Sequence, residues 1–360
     1  GYVSYDSIRY IEKIPDNNPE DPKLPDQYFI FPSEIIVVDN EEQSVKIIVY
    51  GDNKEKIDKR IGGLYSFILN FSNNNHSEPG SNNSNCVELL SSFKKEEFEK
   101  AVLKSKRYIK EGEIFQVVLS QRFEFKVKQE PFDVYKKLRV NNPSPYMYFM
   151  KLDELYLIGS SPEILIKLKK GIAVSRPIAG TRKRGETDEE DKMLEKELIS
   201  DEKELAEHIM LVDLARNDLG RVCKFGSVRV DELMRIEKYS KVMHIVSNIV
   251  GKLKNNYGSV ELFKATFPAG TVSGAPKIRA MEIIDELESV KRGIYAGGVG
   301  YFAFNGDLDF CIAIRTIIIK GEKGFAQVGA GIVADSIPEN EYNEILNKAK
   351  ALILTLMEEE

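Results

Sequence analysis

The chain has 360 residues, 42% hydrophobic and 30% charged, which is ample for a large core in one domain or two. A net charge of −6 without a dense Lys/Arg run argues against a nucleic-acid binder, and no apolar run is long enough to span a membrane. Three scattered cysteines (Cys86, Cys223, Cys311) point to a reduced, cytoplasmic protein, and three histidines (His76, His208, His244) are too few for a multi-histidine zinc centre.

The sequence starts at Gly1 inside a segment that reads as folded, so a further N-terminal piece is expected before it. Residues 1–14 read as a short aromatic strand or a turn, and 16–25 as a proline-rich acidic surface loop. Glu34–Asp39 and Val45–Tyr50 are β-branched runs flanking a polar turn, a hairpin. Residues 72–85, with His76 among them, are low in complexity, and a catalytic role for that histidine is not expected. A helix over 94–110 precedes a strand over 115–127, a helix over 132–138, and strands over 146–151 and 155–160. Strands grouped in this way, without regular βαβ alternation, predict an α+β fold with extensive antiparallel sheet.

Residues 176–184 combine a turn glycine with four cations, which suits either an anion cradle or an exposed basic loop. Helices follow over 188–199 and 201–219. The segment 237–250 reads as a strand carrying His244, a position where a lone histidine is ordinarily structural. Residues 267–277 form a Gly/Ser/Thr loop entering a helix, a place where exposed N–H groups attract phosphate or carboxylate, but the P-loop spacing is absent. Strands over 294–304 and 308–319 meet at Asn305-Gly306 and carry Tyr295 and Arg315. Arg315 stands in an apolar run, where a buried guanidinium requires a carboxylate from the protein or from a ligand. A strand over 326–333 contains Gly329-Ala330-Gly331, so something approaches its backbone closely. Ser336-Ile-Pro-Glu339 resembles a capping box opening the last helix.

On the 201–219 helix, Glu204, Glu207 and His208 share a face although the helix is apolar nearly all round. A salt-bridged helix end is one reading. The other is a Mg²⁺ site, since that ion takes one or two carboxylates beside substrate oxygens. Glu341 and Glu344, again i and i+3 and followed by Lys348, supply a second carboxylate pair and favour the metal.

Ser161-Pro-Glu163, Pro177-Ile-Ala-Gly-Thr-Arg182, Glu207 to Gly220, Phe267 to Lys277, Gly329 to Ser336 and Pro338-Glu-Asn-Glu341 occur in the order found in the chorismate-utilising enzymes. The chain resembles that family over nearly its whole length, most closely the large subunits of anthranilate synthases. The resemblance implies two large, mainly antiparallel sheets packed as a sandwich with helices outside. It implies a catalytic domain over 93–360, with 1–92 the remainder of a regulatory and subunit-contact region.

It further implies Mg²⁺ on Glu207 and Glu344, with Glu204 and Glu341 close by. Chorismate would be held by Arg315, Tyr295, the backbone of Gly329, Ala330 and Gly331, and by Gly180 and Thr181, with Thr271 in the same pocket. Glu163 would protonate the departing 4-hydroxyl, and His244 would assist the later elimination of pyruvate. Ala179 stands where aminodeoxychorismate synthases commonly carry a lysine nucleophile, and Gln116 where isochorismate and salicylate synthases have a water-activating lysine. Amination at C2 followed by pyruvate loss is therefore the expected reaction. The aminodeoxychorismate, isochorismate or salicylate reactions, or a non-catalytic chorismate or tryptophan sensor, are the alternatives.

No cysteine sits in a glutaminase context, so ammonia is expected from a separate glutamine amidotransferase subunit. Pro145, Tyr146, Met147, Val299, Tyr301 and Cys311 match the family's feedback site for L-tryptophan. The family's Leu-Leu-Glu-Ser segment is expected before residue 1, and Leu89-Leu-Ser-Ser92 lies in the wrong place to substitute for it.

Overall fold

The structure, a computed structural model, describes residues 1–71, 89–239 and 242–353. The low-complexity stretch with His76, and Cys86, lie outside the described residues. The chain divides into a large unit, Gly1–Tyr28 with Ser84–Glu360, and a small one, Phe29–Asn83. Residues 1–28 were expected to go with 29–92. They belong instead to the large unit, because Tyr2–Val3 pairs with the strand Gly298–Phe302 and the Tyr2 side chain is fully buried.

The small unit contains the expected hairpin, Glu34–Asp39 on Ser44–Val49, and the helix Lys54–Phe71, which the sequence reading did not identify. Arg60 on that helix forks onto both oxygens of Glu34.

The large unit is built on two sheets whose pairings are all antiparallel. The nine-stranded sheet runs Ile178–Lys183, Val242–Lys252, Ile172–Ser175, Ile164–Lys169, Leu308–Ile312, Gly298–Phe302, Tyr2–Val3, Gln27–Tyr28, with Arg229–Lys238 also on Val242–Lys252. The seven-stranded sheet runs Gly274–Ala275, Gln116–Lys126, Lys323–Ile332, Thr316–Lys320, Leu155–Ser161, Tyr146–Leu152, with Leu90–Ser91 on Gln116–Lys126.

Alternation of side chains along each strand gives each sheet two faces. Phe310 packs edge-on against Phe263 of the helix Ser259–Thr266, at 5.0 Å between ring centroids. Its neighbour Cys311 points the other way, into a cluster where Tyr2, Val299 and Cys311 from one sheet meet Leu155 and Leu157 from the other. The helices Lys95–Lys110, Lys277–Leu287 and Pro338–Ile353 pack on the seven-stranded sheet, and Asp188–Ser200 and Glu202–Val222 on the nine-stranded one. The sandwich with helices outside is the architecture that the sequence resemblance implied.

Three sequence expectations are corrected. Residues 308–319 are not one strand. Leu308–Ile312 belongs to the nine-stranded sheet and Thr316–Lys320 to the seven-stranded one, so residues 313–315 cross between sheets. Tyr295 likewise precedes its strand, which starts at Gly298. The basic stretch 176–184 is largely the strand Ile178–Lys183 rather than a turn.

Candidate active site

Two crossings between the sheets lie side by side and set the centre of the site. Ser161 ends a strand of the seven-stranded sheet and Ile164 begins one in the nine-stranded sheet, which leaves Glu163 at the corner. Arg315 occupies the neighbouring corner. The crossings are stitched together by Ile312 N–H donating to the Glu163 carbonyl (3.0 Å) and Ser160 N–H donating to the Arg315 carbonyl (3.1 Å). Arg315 takes a left-handed backbone conformation, φ +50°, which a side-chain-bearing residue adopts only where its surroundings enforce it.

Glu163 is 8% exposed, and burial raises its carboxyl pKa from 4.5 to about 8, against opposing pulls from Thr271 and Arg315. At neutral pH it is a carboxylic acid with a proton to give. Thr271, on the short turn Gly270–Val272, lines a small, half-open cleft with Glu163. Its hydroxyl points toward the acid without making a hydrogen bond of good geometry.

The Arg315 side chain is accessible to water, yet its pKa is lowered by desolvation, as happens to a cation between the walls of a cleft. Among the described residues it forms no ion pair, so its guanidinium is open to an anionic ligand. The expected buried arginine in a strand is thus a cleft arginine at a sheet crossing.

His244 lies on the strand Val242–Lys252, and its pKa is lowered by burial, with Arg315 acting in the same direction. Its Nδ1 is 3.0 Å from the Gly180 carbonyl and 3.0 Å from the Thr181 hydroxyl. A carbonyl only accepts, so Nδ1 carries the hydrogen and the Nε2 lone pair is free to take a proton. Gly180 makes this possible. The pairing register slips between Ala179 and Thr181, a bulge with Gly180 at φ +65°, which turns its carbonyl onto the ring. His208 proves different from its expected place beside Glu204 and Glu207. It is buried with Nε2 2.6 Å from the Ser247 hydroxyl, and burial lowers its pKa to about 4, so it is a neutral core residue.

The carboxylates stand on two helices, Glu202–Val222 and Pro338–Ile353, near enough for the charge of Glu344 to act on Glu207. Burial raises the pKa of Glu207; Glu204 and Glu344 push it up further, while Gln116 opposes by donating to Glu207 Oε1 at 3.0 Å. Glu341 is raised by burial too, and again by Glu344. Glu204 is held by Arg182 at 3.2 Å, and Arg182 also engages Asp201 and Glu197. Arg184 pairs with Asp191 and Arg176 with Glu237, so the three arginines of 176–184 are spent on protein acids, and only the exposed Lys183 is left without an ion pair among the described residues, which is not an anion cradle.

Among the described residues no three His, Cys, Asp or Glu side chains form a ready-made metal cage. An all-oxygen pair on facing helices still fits Mg²⁺, which is commonly held by one or two carboxylates, with waters and substrate oxygens completing the shell. Zinc sites are built chiefly on cysteine and histidine, and this carboxylate set offers neither.

The strand Lys323–Ile332 presents two glycines with side chains close against them. A Cβ at Gly329 would meet the Tyr295 hydroxyl at 2.6 Å, and one at Gly331 would meet Gln116 Nε2 at 2.7 Å. Ala330 points to the opposite, core face and is 1% exposed. Tyr295, 7% exposed, is a neutral phenol, its pKa raised to about 12 by burial.

Of the six residues matched to the tryptophan site, Tyr146, Val299 and Cys311 share the inter-sheet cluster, with Tyr146 donating to Asp309 at 2.8 Å. Met147 alternates to the other face and packs on the main core, while Pro145 is exposed and Tyr301 is 57% exposed. Sequence reasoning missed the clamp of Arg182 on Glu204 and the buried pair of Lys277 with Asp218, at 2.6 Å. Both join residues distant in sequence, and no local pattern marks them.

The sequence profile of the family described as chorismate binding enzyme matches residues 1–354. Anthranilate synthase component 1 of Aquifex aeolicus is 51% identical, over 98% of this chain and 73% of its own length. Aminodeoxychorismate synthase component 1 of Bacillus subtilis is 46% identical, over 100% of this chain and 77% of its own. The crystal structure of anthranilate synthase component I from Streptococcus pneumoniae superposes with a TM-score of 0.89 at 41% identity, covering 98% of this chain and 79% of that one.

Proposed function

The chain belongs to the chorismate-binding enzymes, and from that premise we propose that it converts chorismate and ammonia to anthranilate and pyruvate. The observation that carries the reading is Glu163: a protonated carboxylic acid in a sheet corner, with an unpaired arginine at the adjoining corner.

Arg315, with the Tyr295 hydroxyl, binds the enolpyruvyl carboxylate, and the backbone of Gly329, Ala330 and Gly331 lines the ring carboxylate's side. Gly180 and Thr181 close the pocket around His244. Glu163 gives its proton to the 4-hydroxyl, which leaves as water while ammonia bonds to C2 and the ring double bonds shift. In the second step His244 Nε2 takes the proton from C2. The bond from C3 to the side-chain oxygen then breaks, the departing enolpyruvate takes up a proton at its methylene carbon to become pyruvate, and the ring becomes aromatic. Ammonia is itself the nucleophile and needs no base, which is consistent with glutamine at 116 and alanine at 179.

Glu207 and Glu344 would hold Mg²⁺, with Glu204 and Glu341 close by; when bound, that ion would neutralise the ring carboxylate. A glutamine amidotransferase subunit supplies the ammonia, as the component 1 naming of the relatives suggests. L-Tryptophan is the proposed feedback inhibitor, at the Tyr146, Val299 and Cys311 cluster. The setting is the cytoplasm, in keeping with the free buried Cys223 and Cys311; among the described residues no helix is long and apolar enough to cross a membrane.

The test is the product formed from chorismate, Mg²⁺ and ammonium at alkaline pH. Fluorescent anthranilate with stoichiometric pyruvate is expected. Aminodeoxychorismate as the end product would move the chain to the other reaction, and no turnover of chorismate would refute the assignment.

A further inference from the structure

Lys348 has no task in the reaction just described, yet it stands on the site's principal oxygens. Its Nζ is 2.6 Å from Glu344 Oε1 and donates to the Gly329 carbonyl at 3.0 Å. Those atoms come from different elements, the helix Pro338–Ile353 and the glycine strand, so the ammonium ties the helix to the strand at the mouth of the pocket. An ammonium is a compact, strongly hydrated point charge, the side chain most able to stand in for a small hard cation between oxygens.

The surroundings call for such a charge. Glu204 has its own guanidinium in Arg182, whereas among the described residues Glu207 receives the neutral amide of Gln116 and forms no ion pair. The positive charges acting on Glu341 are those of Lys348 and Lys203, and Lys203 acts on Glu207 as well. The Lys348 side chain is 50% exposed and Glu344 49%, so the ammonium can withdraw into water without unpacking any core.

We propose that Lys348 is the resident counter-cation of the metal site, held on Glu344 and tethered to the Gly329 carbonyl until a divalent ion takes over Glu344. The inference rests on the assignment of Glu207 and Glu344 as metal ligands. Its consequence is that the ligand-free protein takes up metal weakly, because each ion entering must first displace an ammonium. A substrate carboxylate, by adding its own oxygens, shifts that competition toward the metal, so metal and substrate bind tightly only together.

Mn²⁺ serves as the probe, with free ion counted by electron paramagnetic resonance in the absence of turnover. Without chorismate, Lys348→Met is expected to bind Mn²⁺ about two- to fivefold more tightly than the wild type, the range set by one exposed ion pair. Lys348→Arg, which keeps the charge, is expected to bind no more tightly than the wild type. The gain is expected to vanish in Lys348→Met/Glu344→Gln. Unchanged or weaker binding in Lys348→Met overturns the proposal, as does a gain that survives removal of Glu344. No Mn²⁺ binding by any variant, even with chorismate present, would instead refute the metal assignment beneath it.

Discussion

Replacing Glu163 by glutamine should stabilise the protein while crippling it, and the size of the stabilisation follows from the site. The carboxyl has a pKa of about 8 in the folded chain, against 4.5 when solvated, because its charged form is desolvated. Folding therefore takes up a proton wherever the unfolded group is ionised and the folded one is not. That linkage makes wild-type stability fall as pH rises from 4.5 towards 8. At about 1.4 kcal/mol per pH unit the penalty is about 3 kcal/mol at neutral pH and reaches about 5 kcal/mol above the folded pKa. Glutamine has the shape of the protonated acid and no charge to bury. Its stability advantage should be near zero at pH 4.5, grow through neutrality and level off above pH 8. Urea unfolding of both proteins at several pH values reads this difference directly. The same substitution should cost roughly a hundred- to ten-thousand-fold in kcat, the usual contribution of a positioned general acid. An advantage that does not change with pH would mean that Glu163 is not held protonated, and the proton-donor role would fall with it.

Three further outcomes are expected. Glu344→Gln should abolish turnover and leave the far-ultraviolet circular dichroism unchanged, since the side chain is half exposed; normal activity would remove Glu344 from the metal site. His244→Ala should slow pyruvate elimination more than amination, so the aminated intermediate should build up on chromatography, because it removes the Nε2 that the Nδ1 bond to Gly180 leaves free to take a proton. Gly180→Ala places a Cβ at φ +65°, about 3.0 Å from Leu198 and 3.2 Å from Ile245. It should cost about 1–2 kcal/mol in a thermal melt, and a variant as stable as the wild type would show that the bulge does not need glycine.

Much of this was legible in the residues. The i, i+3 spacing of Glu204 with Glu207 and of Glu341 with Glu344 placed two carboxylate pairs on helices, because side-chain spacing on a helix is fixed by the backbone. The hairpin at Asn305-Gly306 and the antiparallel grouping of strands came from the same short-range rules. What those rules could not give was partnership. The arginines of 176–184 looked available for an anion because Asp191, Asp201 and Glu237, which neutralise them, arrive from later helices and strands. His208 looked like a neighbour of Glu207 because periodicity defines a face only to within a third of a turn. Ser247, which claims its ring, lies on a strand 39 residues further on.

Arg315 shows why the deepest error fell at the centre of the site. Residues 308–319 have the β-branched, apolar composition of a single strand, and nothing in them announces a break. The break is imposed from outside: Leu308–Ile312 and Thr316–Lys320 are claimed by different sheets, and the chain must change direction between them. A proline or glycine there would have marked the crossing, and neither is present. An arginine in left-handed backbone is held there by the two sheets on either side, at a local cost that a loop glycine would avoid. What the fold gains is a guanidinium beside the Glu163 corner, without an ion-pair partner among the described residues. A local rule broken in this way, with no structural compensation in view, is what a ligand-binding position looks like from the sequence side.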